Sequence, residues 1–117
     1  MKENFKRNIF FYKHYYLDFL NKQNLIVQKK INWTIELIMN LERIPSKYFN
    51  HMENTDGLYE IRVEVGSNIS RVFSFFDEGN LVILLNGFQK KSQKTPGNEI
   101  ELAEKLKKEY FNEKDNQ

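Results

Sequence analysis

Two arginines in predicted β-strands are the residues of this chain best suited to chemistry on a phosphate. Arg62 lies on the polar side of the alternating segment 58–65, and Arg71 is an isolated charge in the apolar segment 69–76. Arginine makes planar bidentate contacts to phosphate, and lysine adds a mobile positive charge. Three lysines follow the third predicted strand: Lys90, Lys91 and Lys94. Antiparallel strands could bring these cations to one end of one sheet face, which predicts a phosphate-binding cluster.

Ion pairing is the alternative explanation for the same charges. A charged side chain in an apolar strand is costly to bury unless it is paired or faces a site. Arg71 could pair with Glu60 or Glu64 across the strands, and Arg62 lies between these two carboxylates on one strand face. Ion-paired, solvated faces of this kind are common on protein surfaces. Pairing of Arg71 would not exclude a phosphate, so both interpretations remain open.

Composition and charge narrow the class of protein. The 117 residues carry a net charge of +2, yet the segment 79–98 has no acidic residue. A basic segment on a nearly neutral protein suggests contact with a polyanion, with a solvated lysine loop as the alternative. Cysteine is absent and there are only 2 histidines, so we predict no disulfide, no metal site and no cofactor. No apolar run approaches the roughly 18 residues of a membrane helix, and we expect a cytoplasmic protein that does not contact a membrane.

Hydrophobic periodicity predicts an α+β domain with the order β-α-α-β-β-β-α. A short β-prone run covers residues 9–12. Helical spacing then predicts a helical hairpin whose two helices cover residues 14–22 and 25–43. Trp33 lies at helical spacing from Leu37 and Leu41, which predicts that it packs in the core. Pro45 should end the second helix, since proline disfavours helical backbone in the residue before it.

A three-stranded antiparallel meander is predicted after a loop over residues 46–57. Its strands cover residues 58–65, 69–76 and 81–85, the last running on towards residue 88. Thr95 is the predicted N-cap of a closing helix, with Pro96 at its first position. We expect one domain over residues 1–117, with residues 112–117 frayed.

Four segments of the chain carry a resemblance to one known family. They are LYEIRVEV (58–65), SRVFSFF (70–76), LLNGFQKKSQKTP (84–96) and EIELA (99–103). These segments closely resemble HigB-type toxins, the phage-derived branch of the RelE/ParE superfamily of bacterial type II toxin–antitoxin systems. The segment 87–96 is the most distinctive of the four.

The resemblance implies a RelE-like fold, in which an N-terminal strand and a helical hairpin pack on an antiparallel sheet and a C-terminal helix follows. It implies an mRNA interferase that inhibits translation by cutting mRNA on the ribosome, through metal-independent attack of a 2′-hydroxyl on the adjacent phosphate. It also implies a helix-turn-helix antitoxin of the HigA type as partner, with operator DNA bound only through that antitoxin.

The same resemblance suggests roles for individual residues. Arg62 and Arg71 would grip the phosphate, and Lys90, Lys91 or both would assist proton transfer or hold flanking RNA. Further RNA contacts are expected from polar and aromatic residues nearby: Lys94, Ser92, Phe88 and Tyr59. We expect Arg71→Ala to abolish growth inhibition without unfolding the protein.

The chain departs from the better-known RelE pattern at two points. Glu60 stands where RelE carries a lysine, and no residue matches the C-terminal catalytic tyrosine of RelE. Tyr110, on the predicted last helix, is expected to be a core contact instead. Two alternatives therefore stay open: a non-catalytic RNA- or partner-binding module, and a gyrase poison of the ParE type, which the lysine-rich segment 90–94 makes the less favoured.

Overall fold

The computed structural model describes residues 5–90 and 96–116 and confirms the predicted α+β class. The strands are β1 (Asn8–Phe11), β2 (Phe49–His51), β3 (Tyr59–Val65), β4 (Asn68–Asp77) and β5 (Leu81–Lys90). The helices are α1 (Tyr15–Asn21), α2 (Leu25–Asn40) and α3 (Gly97–Asp115). No helix in these two ranges is both long and apolar enough to cross a membrane.

All five strands form one sheet, in the order β1-β5-β4-β3-β2. The predicted antiparallel meander β3-β4-β5 lies at its centre. Two strands extend it. β1 pairs in parallel with β5, so the sheet is mixed, and β2 forms in the segment that was predicted to be a loop. β2 has only 3 residues, too few to show an alternating pattern, and is held by pairing of Phe49 with Ile61 and stacking of Phe49 on Tyr59.

Helices cover both faces of the sheet. α1 and α2 pack on the face that carries Ile61, Val72 and Leu84, and α3 packs on the face that carries Phe73 and Ile83. A strand covered on both faces needs apolar residues at consecutive positions. This explains the continuous apolar run in β5, where the residues from Val82 to Leu85 are all buried.

The end of α2 is set by a contact that local sequence does not predict. The helix ends at Asn40 rather than at the predicted residue 43. The Arg7 guanidinium donates hydrogen bonds to the carbonyl oxygens of Ile38, Leu41 and Glu42 at 3.1, 2.6 and 2.9 Å. Ile38 is in the last turn of α2, where carbonyls lack partners within the helix, and Leu41 and Glu42 follow the helix directly, so Arg7 also places a cation at the negative end of the helix dipole.

α3 is longer at its C-terminal end than expected. It continues to Asp115 instead of fraying from residue 112, and Pro96 rather than Thr95 occupies the N-cap position. Thr95 itself lies outside the described residues. The last turn is held by Lys114, whose Nζ lies 2.9 Å from the buried carboxylate of Asp77 at the end of β4.

Gly87 permits the close packing of α1 on β5. A Cβ atom at this position would lie 2.6 Å from the ring of Phe19, well inside normal van der Waals contact. The ring of Phe19 is buried in the core beneath α1 and α2. Glycine is therefore required here by the approach of a side chain, not by its own backbone angles.

Gly87→Ala is expected to destabilise the protein by about 1–3 kcal/mol, because the added methyl group must displace the Phe19 ring in a packed core. Urea unfolding followed by circular dichroism measures the loss. Gly97→Ala is the matched control, since no atom lies within 4 Å of a Cβ built there and its backbone is helical. Equal stability of the two variants would show that Phe19 can move without cost.

Candidate functional site

Arg62 and Arg71 are directly opposite each other on β3 and β4. Residues that pair across antiparallel strands project from the same face of the sheet, so the two guanidinium groups belong to one surface. Like charges in this position repel each other. The register therefore brings together the two cations that the sequence analysis singled out, and it requires counter-charges nearby.

Two carboxylates of β3 supply these counter-charges. Glu60 accepts a hydrogen bond from Nη1 of Arg71, and Glu64 accepts one from Nη2 of Arg62 at 2.8 Å. The Arg71–Glu60 pair is buried, with side chains 11% and 10% exposed, whereas the Arg62–Glu64 pair is open to solvent at 37% and 57%. The ion-pairing alternative for Arg71 is thus confirmed, with Glu60 as the partner.

The two guanidinium groups keep hydrogen-bonding capacity beyond these pairs. An arginine has five N–H donors. The Nε atoms of Arg62 and Arg71 are both buried and have no hydrogen-bond partner among the described residues. Buried donors are normally satisfied, and unpaired ones call for a physical explanation. An oxyanion at this part of the sheet would therefore contact the terminal Nη groups, since the Nε atoms are closed to solvent.

Of the three predicted lysines, the structure describes only the backbone of Lys90. Lys90 ends β5, where its backbone is in register with Ile69, two positions along β4 from Arg71. The backbone therefore brings Lys90 to the same end of the sheet as the arginine pair. Lys91, Ser92 and Lys94 lie outside the described residues.

Neither of the two aromatic residues predicted to stack on RNA bases has an accessible ring next to the arginine pair. Phe88 is in register with Arg71, but its ring is buried against Phe73, with 5.5 Å between the centroids. Tyr59 projects from the opposite face, because it alternates with Glu60 along β3. Its ring stacks on Phe49 at a centroid distance of 4.9 Å.

A different aromatic residue is accessible instead. The prediction that Trp33 packs in the core is wrong, since 43% of the residue is exposed. The core-facing positions of this part of α2 are occupied by Ile31, Thr34 and Ile38. Lys30 places its Nζ 4.2 Å from the centroid of the indole ring. The sequence feature that could have indicated an exposed position for Trp33 was the pair of lysines at positions 29 and 30, one helical turn before it.

Tyr110 is a structural contact, as predicted. Its hydroxyl donates to the carboxylate of Asp77 at 2.6 Å, and its ring packs against Tyr12 and Phe75. Burial and the neighbouring Asp77 carboxylate raise the pKa of Tyr110 to about 12. A phenol with so high a pKa, already donating to a carboxylate, is poorly suited to act as a base.

Asp77 is held as an anion by the same cluster. Burial by itself would raise the pKa of Asp77, but the hydrogen bonds from Tyr110 and Lys114 outweigh it and lower the pKa below the ordinary value. The cluster joins the end of α3 to the turn between β4 and β5. No group of three or more histidine, aspartate or glutamate side chains within residues 5–90 and 96–116 is arranged to hold a metal ion.

Comparisons with known proteins agree with this architecture. The family described as phage derived protein Gp49-like (DUF891) matches residues 18–108 of the chain. Among solved structures, the chain is similar to one described as the archaeal RelE–RelB complex from Pyrococcus horikoshii OT3, with a TM-score of 0.51 and 12% sequence identity. The match covers 76% of this chain and 99% of that one, and supports the RelE-like fold. No curated protein sequence matched this chain.

Arg71→Ala is expected to destabilise the protein by about 3–5 kcal/mol, because it leaves the Glu60 carboxylate buried without a partner. The buried Arg71–Glu60 pair thus favours a loss of stability over the intact fold that the sequence predicted for this variant. Replacing both partners, as Arg71→Met with Glu60→Leu, should recover most of the loss. Urea unfolding compares these variants with Arg62→Ala, whose exposed pair is worth about 0–1 kcal/mol. An Arg71→Ala protein as stable as the wild type would show that Glu60 does not depend on this arginine.

Low pH should lower the free energy of unfolding, because it protonates the Asp77 carboxylate. A carboxylate with a lowered pKa stabilises the folded state above its ordinary pKa of 3.8, and this contribution is lost as the pH falls through the folded-state value. We expect the urea midpoint of the wild type to drop as the pH falls from about 5 through 3.8 and further towards the lower folded-state pKa of Asp77, and that of Asp77→Asn to drop less. Glu104→Gln, which removes an exposed carboxylate elsewhere on α3, is the control and should follow the wild type.

Proposed function

Because the chain belongs to the Gp49-like family of phage-derived proteins, we propose that it is the toxin of a type II toxin–antitoxin system. Its activity would be that of an mRNA interferase, an endoribonuclease that cuts mRNA during translation on the ribosome. The family match over residues 18–108 and the RelE-like fold support the toxin assignment. The HigB-type resemblance of the segments between residues 58 and 103 supports the choice of mRNA as substrate.

The observation that carries the proposal is the placement of Arg62 opposite Arg71 at one end of the sheet. In-line attack of a ribose 2′-oxygen on the adjacent phosphate builds negative charge on the non-bridging oxygens. Two fixed guanidinium groups stabilise that charge, and loss of one such donor typically costs about 10²–10³ in rate. The reaction forms a 2′,3′-cyclic phosphate and releases a 5′-hydroxyl, so it requires one group to accept a proton and another to donate one.

Proton transfer is assigned to the lysine that ends β5 and the one that follows it in the sequence. Lys90 and Lys91 are the candidates, and neighbouring cations would favour the neutral amine that a base requires. Lys94 and Ser92 would hold RNA on either side of the scissile phosphate. Phe88 and Tyr59 are withdrawn as stacking residues, since one ring is buried and the other projects from the opposite face.

An antitoxin partner follows from the same assignment. The similar solved structure is described as a RelE–RelB complex, that is, a protein of this fold together with a second protein. We propose that a helix-turn-helix antitoxin of the HigA type binds this chain and that operator DNA is contacted only through it. The ribosome and the mRNA it translates are the remaining partners.

A non-catalytic binding module is the second candidate. Glu60 and Glu64 neutralise the arginine pair in the free protein, and the phosphate must replace or tolerate these carboxylates. A chain that had lost activity while retaining affinity for RNA or ribosomes would show the same cationic surface.

Primer extension on a reporter mRNA in a purified translation system tests the activity. We expect the wild type to produce cuts that depend on ribosomes and that carry 2′,3′-cyclic phosphate ends. Arg62→Ala, which removes an exposed cation, should lower the cutting rate about 10²–10³-fold. Arg71→Lys, which keeps a positive charge beside Glu60 but loses the planar fork, should also be impaired.

Arg43→Ala is the matched control for Arg62, since it removes an exposed arginine outside the sheet. It should cut at the wild-type rate. Cosedimentation with ribosomes without any cutting would favour the binding module over the nuclease. Growth arrest with DNA damage and intact mRNA would favour a gyrase poison.

A further inference from the structure

A groove runs along the outer edge of β3, beside α2. β2 pairs with β3 only from Tyr59 to Ile61, so within the part of the chain that the structure describes no strand lies beside this edge of β3 beyond Arg62. Two adjoining cavities of about 280 and 480 Å³ lie there, and both are lined by Lys30 and Glu64. We call them together the edge groove, with six defining residues: Lys29, Lys30, Trp33, Lys47, Tyr48 and Arg62.

The edge groove is strongly basic. Four of its six defining residues are cations, and among the described residues Glu64 is the one carboxylate that lines either cavity. Glu64 already pairs with Arg62, so Lys29, Lys30 and Lys47 remain in excess. A concentration of positive charge in a concave surface attracts a polyanion.

The edge groove also presents aromatic rings between its cations. The indole of Trp33 meets the ring of Tyr48 edge-on, with 5.6 Å between the centroids. Lys30 lies over the indole ring at 4.2 Å and Lys47 over the tyrosine ring at 4.9 Å. Trp33 is still 43% exposed, so part of the ring can accept another planar group. Alternating rings and cations suit single-stranded nucleic acid, whose bases stack while its phosphates pair with the charges.

Arg62 connects the edge groove to the arginine pair. Its side chain lines the groove with Lys47 and Tyr48, and its cross-strand partner is Arg71. Its Nε is buried at this junction and has no hydrogen-bond partner among the described residues. A strand with one phosphate between the two arginines would have its adjacent nucleotides at the mouth of the groove.

We propose that the edge groove binds single-stranded RNA next to the scissile phosphate, with one base stacked on Trp33. The inference rests on the proposed function for the identity of the strand. An acidic peptide would satisfy the lysines but would have no use for the exposed indole, so RNA is the occupant that both features favour.

Trp33 is the single tryptophan of the chain, so its fluorescence reports on this groove alone. The probe is an octamer of 2′-O-methyl RNA, which cannot be cut because the attacking hydroxyl is blocked. We expect the octamer to quench the fluorescence as it binds. Heparin carries charge without bases and should bind with little quenching, and a poly-glutamate peptide should do the same.

Anisotropy of a labelled octamer measures the affinities of the variants. Trp33→Ala should weaken binding about tenfold, within the range for loss of one stacked base, and Trp33→Phe should retain most of the affinity. Lys47→Ala should weaken binding and reduce its salt dependence. Two controls should bind like the wild type: Leu17→Ala, an exposed apolar residue on α1, and Lys105→Ala, an exposed lysine on α3.

Binding of the octamer without quenching, with Trp33→Ala as tight as the wild type, would overturn the proposal. Equal quenching by poly-glutamate would overturn it as well and would indicate a protein-binding surface. These outcomes are distinct from failure of the proposed function. If wild type and Trp33→Ala cut equally well and bind the octamer equally well, the nuclease is supported and the edge-groove proposal is not. If the octamer quenches the fluorescence but no cutting occurs, RNA binding by the edge groove is supported and the nuclease is not.

Discussion

The sheet of this protein is covered by helices on both faces, and most other features follow from that constraint. The close approach of α1 requires a glycine at position 87, beneath the ring of Phe19. The apolar run of β5 fills the space between the two helical layers. The proposed ligand-binding residues therefore lie at one end and one edge of the sheet. The arginine pair occupies that end, and the edge groove lies beside it.

The arginine pair is held in place by two carboxylates of different character. The buried pair of Arg71 with Glu60 fixes one guanidinium at a cost in desolvation that the mutual attraction must offset. The exposed pair of Arg62 with Glu64 leaves the other guanidinium freer to turn towards a ligand. In the proposed nuclease, a phosphate would meet one guanidinium already oriented by the Arg71–Glu60 pair, which is how electrostatic preorganisation would lower a reaction barrier. The same carboxylates keep like charges from repelling each other in the free protein.

Periodicity and turn chemistry were sufficient to predict the three helices and the central meander. β2 escaped prediction because 3 residues show no period, and its pairing depends on a neighbour that comes later in the chain. The C-terminal turn of α3 escaped prediction because its residues are polar, and they are ordered by Asp77, more than 30 residues earlier. Trp33 was misplaced since helical spacing identifies a face but not how far the covering layer extends over it.

The sequence by itself determined the fold class, the approximate bounds of the main elements and the residue types able to hold a phosphate, because these depend on local spacing and on side-chain chemistry. Only the tertiary structure decided which of those residues meet. Cross-strand register placed Arg62 opposite Arg71 and brought Glu60 into a buried ion pair with Arg71. The premature end of β2 opened the edge beside Trp33 and Tyr48. Register and strand length are set by contacts between distant parts of the chain, and a single sequence does not specify those contacts locally.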